Sequence, residues 1–118
     1  MRMWMVNPKL LCNKHLLGEH GELHKHKWTF EKKHRKDNYI KNNCIEPKSM
    51  QIRHDELANE IKDRGYNHNS PFISPDISYL PLEHQEYKVN ILNSLRDLHF
   101  RCPKCKVLYE GQNYESNK

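Results

Sequence analysis

Apolar residues fall along this chain in short clusters whose spacing is mostly helical, and no cluster grows into a long uninterrupted run. The opening MRMWMV reads as an extended apolar lead carrying one arginine, and Asn7-Pro8 follows as a turn or helix start with proline at a tolerated position. A first helix is predicted from Lys9 to about His26, although Gly18 and Gly21 each weaken a helix interior by roughly 1 kcal/mol relative to alanine. A basic stretch, HKHKWTFEKKHRKDNYIKNN, spans His24 to Asn43 and reads as a helix tail plus loop. A second helix is predicted from Pro47 to Arg64, with Met50, His54, Leu57 and Ile61 on one face and Gly65 placed to end it in the left-handed conformation. Prolines at 71, 75 and 81 make Asn67 to Leu82 a loop. A third helix is expected from Leu82 to Phe100, where Tyr87, Ile91, Leu95 and Leu98 recur at helical spacing. Beyond it lies Cys-Pro-Lys-Cys, then a polar tail from about residue 111 that is expected to fray.

Composition narrows what such helices can be doing. With 118 residues, 36% of them hydrophobic and 30% charged, the chain has room for one domain with a thin core. The formal charge of +5, with nine histidines besides, favours a polyanionic partner over a neutral metabolite, and nucleic acid leads. No stretch is long and apolar enough to span a bilayer, and the start is too short and polar for a secretory signal, so an intracellular protein without a membrane partner is expected. Cys12, Cys44, Cys102 and Cys105 are then expected as reduced thiols or metal ligands rather than a disulfide framework.

At 100° per residue, His15, Glu19, Glu22 and His26 share a narrow band of the first helix. Leu16 and Leu23 lie on a neighbouring face turned towards the core. Gly18 and Gly21 flank the band on its other side, where they would let a backbone approach Glu22. Such a band reads either as a solvated face or as a site. A metal site is disfavoured, because His20 and His24 have i, i+4 spacing but the HExxH pattern and a third ligand are missing.

The string MRMWMVNPKLLCNKHLLGEHGELHKH resembles the N-terminal motif of the pyrimidine-dimer DNA glycosylase and AP lyase family, the phage-type endonucleases of ultraviolet repair. In that family an N-terminal residue is followed by arginine, and a helix then carries a His-Leu pair, an acidic residue, a Glu-Leu pair and a nearby base. Here these are Met1, Arg2, His15-Leu16, Glu19, Glu22-Leu23 and Lys25. A second block, RHDELANEIKDRGYN from Arg53 to Asn67, is similar to the family's second helix.

The resemblance implies an all-α fold, a single compact domain of about three main helices with an extended N-terminal segment threaded between them. It implies a monomer acting on damaged double-stranded DNA, with no cofactor and no metal. The α-amine of Met1 would attack the sugar C1′ of an extruded nucleotide, Glu22 would act as acid/base partner, and β-elimination at the resulting imine would cut the strand. Methionine normally survives before a residue as bulky as Arg2, so the amine belongs to Met1. Arg2 and Lys25 would hold phosphates, His15 would support the pocket, and Lys32 and Lys33 would track the DNA backbone. Trp28 and Phe30 read either as stacking platforms or as core. The family's usual arginine just before the glutamate is replaced by Gly21, which puts lesion specificity in doubt. The rival reading is a non-enzymatic nucleic-acid-binding module stabilised by zinc, with Cys102 and Cys105 as two ligands and Cys12, Cys44 or a histidine completing the set. A helical protein-interaction domain would explain the amphipathic helices but not the N-terminal motif.

Overall fold

The computed structural model of the chain describes residues 2–32, 39–68 and 71–116, and among these every regular element is helical. The expected all-α fold is what forms. In chain order the α-helices are α1 (Asn13–Glu31), α2 (Tyr39–Asn42), α3 (Met50–Asp63), α4 (Leu82–Gln85), α5 (Ile91–Arg101) and α6 (Pro103–Ser116), with short 3₁₀ turns at Pro8–Leu10 and Pro47–Ser49. No helix of the described residues is long and apolar enough to cross a membrane.

Helix α1 begins later and ends later than its periodicity indicated. Asn7 caps the 3₁₀ turn, its Oδ1 accepting the Lys9 amide at 3.0 Å, and Leu11 is extended, so the α-helix starts only at Asn13. Its far end is held by packing. Leu16, Leu23 and Phe30 recur every seven residues and are all fully buried, carrying the helix past His26 to Glu31. Helix α3 buries Met50, His54, Leu57 and Ile61 as expected, and it stops at Gly65, whose φ of +89° closes the turn.

Two C-terminal expectations fail. The single helix expected from Leu82 to Phe100 is broken into α4 and α5, because the Asn90 side chain accepts the Asn93 amide at 3.0 Å and starts a fresh helix. Of the expected apolar stripe, Leu98 is buried, Tyr87 and Leu95 pack partly against the core, and Ile91 is exposed. The tail, expected to fray, instead forms α6. Cys102 is extended, and Pro103 opens the new helix with the φ a first turn requires.

The extended N-terminal segment is threaded through the interior, with Met3, Trp4 and Val6 buried. With no strand partner, its backbone must find other hydrogen-bond partners. The Arg2 amide donates to Glu22 Oε2 on α1 at 2.7 Å, and the Met3 amide donates to the Cys44 carbonyl at 3.2 Å. Trp4's carbonyl accepts from Ser94 Oγ on α5 at 2.5 Å, and Val6's carbonyl accepts from Arg53 Nη1 on α3 at 2.7 Å. Four parts of the chain thus grip five residues. The bend at Met5, with φ of +60°, is an unfavourable conformation that these contacts impose.

Arg53 is the centre of this packing. Its guanidinium is fully buried and meets Glu19 on α1 through two contacts, Nε to Oε2 at 2.5 Å and Nη2 to Oε1 at 2.9 Å. Burial alone would lower the Arg53 pKa, but hydrogen bonds and charge from Glu19 raise it, and Glu56 adds to the effect. Burial likewise pushes Glu19 up against the pull of Arg53. The guanidinium does not give up its proton, and its two donors meet both carboxylate oxygens, the fork geometry that favours a charged pair.

A histidine cluster lies elsewhere between α1 and α3. His20 Nε2 is 3.2 Å from His54 Nε2 and 2.8 Å from His68 Nε2, with His24 packed edge-on to both His20 and His54. Phe72 stacks on His54 at 4.6 Å, and Asp55 reaches His54 Nδ1 at 3.1 Å. Burial and the neighbouring rings lower the His20 pKa to about 4, and His24 and His68 are lowered in the same direction, mainly by burial. On α1, His26 is also lowered to about 4 by burial.

Two predictions follow from this packing. Glu19→Leu, which strands the Arg53 charge, should cost about 3–5 kcal/mol in denaturant unfolding, and Glu19→Leu with Arg53→Met should recover much of that loss. A double variant no more stable than the single one would contradict this account of the pair. Because the buried histidines are neutral in the fold and protonate near pH 6.5 when unfolded, their stabilisation is complete above about pH 6.5 and is lost as pH falls towards about 4. The thermal midpoint should therefore fall between pH 7 and pH 5, and His20→Gln should shallow that fall. An unchanged slope would place the pH sensitivity elsewhere.

Candidate active site

Helix α1 divides its circumference between core, site and solvent. Leu16, Leu23 and Phe30 form the core face, and His15, Glu19, Glu22 and His26 fall within about 60° beside it. The band is not a solvated face, because the N-terminal segment covers it. Glu19 and His26 are buried, while His15 and Glu22 are half-buried. Glu22 is the member nearest the open side. Its Oε2 is fixed by the Arg2 amide, which brings the very start of the chain onto this carboxylate.

Beyond Glu22 lies a stripe on which every described residue is exposed: Lys14, Gly18, Gly21, Lys25, Trp28 and Lys32, within about 80° of one another. A Cβ built on Gly18 or Gly21 would meet nothing within 4 Å. No backbone of the described residues fills the room the glycines were expected to leave; they are bare helix surface between lysines. Trp28 is 57% exposed with Lys32 Nζ 4.8 Å from its ring centre, whereas Phe30 is a core residue. Of Trp28 and Phe30, Trp28 is the one that presents its ring at the surface.

The remaining expected site residues separate. The Arg2 side chain folds over Trp4, its Cζ 4.3 Å from the ring, and pairs with Asp97 Oδ2 on α5 at 3.0 Å. In this arrangement it fastens the N-terminal segment to α5. His15 turns away from the open stripe: Nδ1 is 3.2 Å from Cys12 Sγ and 3.8 Å from Cys105 Sγ, and its ring meets Trp4 edge-on. Met1 and Lys33 lie outside the described residues.

Sequence reasoning missed two features. Asp97 and Ser94, three residues apart on α5, both hold the N-terminal segment, and nothing local marks them as partners of residues 95 and 90 positions away. The gathering of Cys12, His15, Cys102 and Cys105, with all four ligating atoms within 4.8 Å of one another, was half visible as Cys-Pro-Lys-Cys. The signal that completes it is the same spacing in Cys-Asn-Lys-His at residues 12–15. His20, His54 and His68 also bring ligating atoms together, but a nitrogen pair at 2.8 Å is closer than the roughly 3.3 Å edge of a tetrahedral metal site and fits a direct hydrogen bond between neutral rings.

No curated protein and no solved structure matches the chain. A family model described as pyrimidine dimer DNA glycosylase matches residues 1–74. That stretch contains the threaded segment, Glu22 on α1, and Arg53 of α3, which joins the segment to α1 through the Val6 carbonyl and Glu19. With more than half of its length matched, the chain belongs to the pyrimidine dimer DNA glycosylase family.

Proposed function

We propose that the chain excises pyrimidine dimers from duplex DNA as a glycosylase with AP lyase activity, using the α-amine of Met1 as nucleophile and Glu22 as its acid/base partner. The contact between the Arg2 amide and Glu22 Oε2, at 2.7 Å, carries this reading. Met1 is joined to that amide by a single peptide bond, which is why its amine is taken as the group Glu22 would serve. An α-amine ordinarily titrates at about 7.7 to 8.0, against about 10.4 for lysine, so a useful share is neutral near pH 7.

The amine attacks C1′ of the extruded nucleotide as the bond from C1′ to the base breaks, and the base leaves with a proton. Glu22 stabilises the positive charge that builds on the sugar. The nitrogen then loses its spare protons as the C1′–O4′ bond breaks and O4′ takes up a proton, which opens the sugar ring and leaves an imine between protein and C1′. Loss of a C2′ proton, for which Glu22 is the available base, expels the 3′ phosphate, and water later frees the amine.

The exposed stripe on α1 supplies the DNA-binding side. Lys25 and Lys32 neutralise phosphates, Gly18 and Gly21 let the duplex backbone come close to the helix, and Trp28 stacks on an unpaired base. The Arg2 guanidinium would reach a phosphate only by giving up Asp97, so its proposed part is first to position the amine. His15 supports this corner of the pocket by packing against Trp4. Lys33 would extend the lysine track.

Borohydride should trap the protein on duplexes bearing a cyclobutane dimer or an abasic site, with the adduct on Met1, and an N-terminal extension should abolish it. Tight binding with no adduct on either duplex would leave only a DNA-binding module. Glu22→Gln should retain DNA affinity and lose at least about a hundredfold in turnover; wild-type turnover would remove Glu22 from the mechanism. Lys25→Ala with Lys32→Ala should reduce the slope of log affinity against log salt by roughly 2, uniformly across sequences. An unchanged slope would move the DNA to another face.

A further inference from the structure

Two chain segments some ninety residues apart present the same pattern at the same point. Cys12-Asn13-Lys14-His15 enters the first turn of α1, and Cys102-Pro103-Lys104-Cys105 enters the first turn of α6. In each, two ligating residues three apart flank a helix start, so both helix N-termini direct their positive ends at one cluster of sulfurs. Cys12, Cys102 and Cys105 are buried, and His15 is half-buried beside them.

The four ligating atoms all lie within 4.8 Å of one another, close enough to converge on one small ion. Zinc bonds of about 2.3 Å to sulfur and about 2.0–2.1 Å to nitrogen require edges of about 3.8 Å between sulfurs and about 3.6 Å between sulfur and nitrogen. Cys12 Sγ and Cys102 Sγ are 3.8 Å apart, and His15 Nδ1 is 3.2 Å from Cys12 Sγ and 3.8 Å from Cys105 Sγ. A disulfide is not formed, since its sulfurs would be about 2.05 Å apart. An iron–sulfur cluster is too large to sit among ligands all within 4.8 Å of one another.

We infer that Cys12, His15, Cys102 and Cys105 form a structural zinc site that locks α6 onto the start of α1. The four ligands close the coordination shell, leaving no open position for substrate, so the site is an anchor rather than a reaction centre. The Cys12 amide donates to Cys105 Sγ at 3.2 Å, the kind of hydrogen bond that steadies a metal-bound thiolate. Three thiolates on zinc leave a net negative charge. The adjoining open cavity of about 1000 Å³ sets Lys9, Lys14, Arg101 and Lys104 against it, Arg64 there being paired with Glu60, and it offers the ion a way in. Cys44 takes no part: its described hydrogen bonds run through its backbone, to Lys41 and Met3. The zinc site adjoins the proposed pocket through His15, but its test reads bound metal and not turnover, so either reading can fail without the other.

Untagged protein, dialysed against buffer without chelator, should carry one zinc per chain by mass spectrometry of the elements, released stoichiometrically when a mercurial titrates the thiols. Cobalt exchanged into the site should give the visible bands of a tetrahedral thiolate complex. Cys105→Ser and His15→Ala should lower zinc content about tenfold or more, His15→Cys should restore it, and Cys44→Ser should leave it unchanged. Should Cys105→Ser fail to fold, the cobalt spectrum of the unaltered chain and the Cys44→Ser result still decide. Folded protein with no bound metal after zinc is supplied, a disulfide between Cys12 and Cys102, or zinc retained by both Cys105→Ser and His15→Ala would overturn the assignment.

Discussion

The buried pair of Arg53 and Glu19 is the constraint from which the arrangement of the site follows. An ionised guanidinium in a protein interior has to satisfy its donors there, and Arg53 does so by spending two contacts on Glu19 and one on the Val6 carbonyl. The first contact fixes the rotation of α1 against α3. The second fixes where the N-terminal segment passes between them. Once both are set, Glu22, three residues along α1 from Glu19, faces the incoming chain and is met by the Arg2 amide. A hydrophobic pair would bind the helices together without specifying which backbone carbonyl lies between them. The charge here supplies position, at a cost in desolvation that the three contacts offset.

Helix periodicity made α1 and α3 legible, because each buries a stripe whose members are close in sequence, and Gly65 announces the end of α3 through a backbone conformation that few other residues tolerate. The same logic failed at α5, where the apolar spacing continued across Asn90 but the Asn90 cap was stronger than the pattern. It failed again at α6, whose residues look polar because the helix is anchored by Cys102 and Cys105 rather than by an apolar face. Within the site, Glu22 was legible from the band it shares with Glu19. What covers that band was not, since a threaded extended segment has no periodicity of its own and its partners, Ser94, Asp97 and Arg53, lie far away in the chain. The glycines face open space, so no backbone of the described residues uses the room they leave.

The contacts that hold the N-terminal segment extend beyond the part of the chain that matches the family. Within residues 1–74, Glu22 and Arg53 fix the amide of Arg2 and the carbonyl of Val6, at its two ends. Between those points the chain also turns through the unfavourable φ of Met5. Its middle is held by α5, where Ser94 takes the Trp4 carbonyl and Asp97 takes the Arg2 guanidinium already stacked on Trp4. Helix α5 is itself continuous, through Cys102, with α6 and the cysteine cluster that returns to the first turn of α1. The C-terminal third therefore closes a loop of contacts around the threaded segment: α1 to the segment, the segment to α5, α5 to α6, and α6 back to α1. An amine at the start of such a segment can be a nucleophile only if its position survives the binding of a large, highly charged substrate. Contacts on both sides of the bend give the segment no single hinge about which to swing away from Glu22.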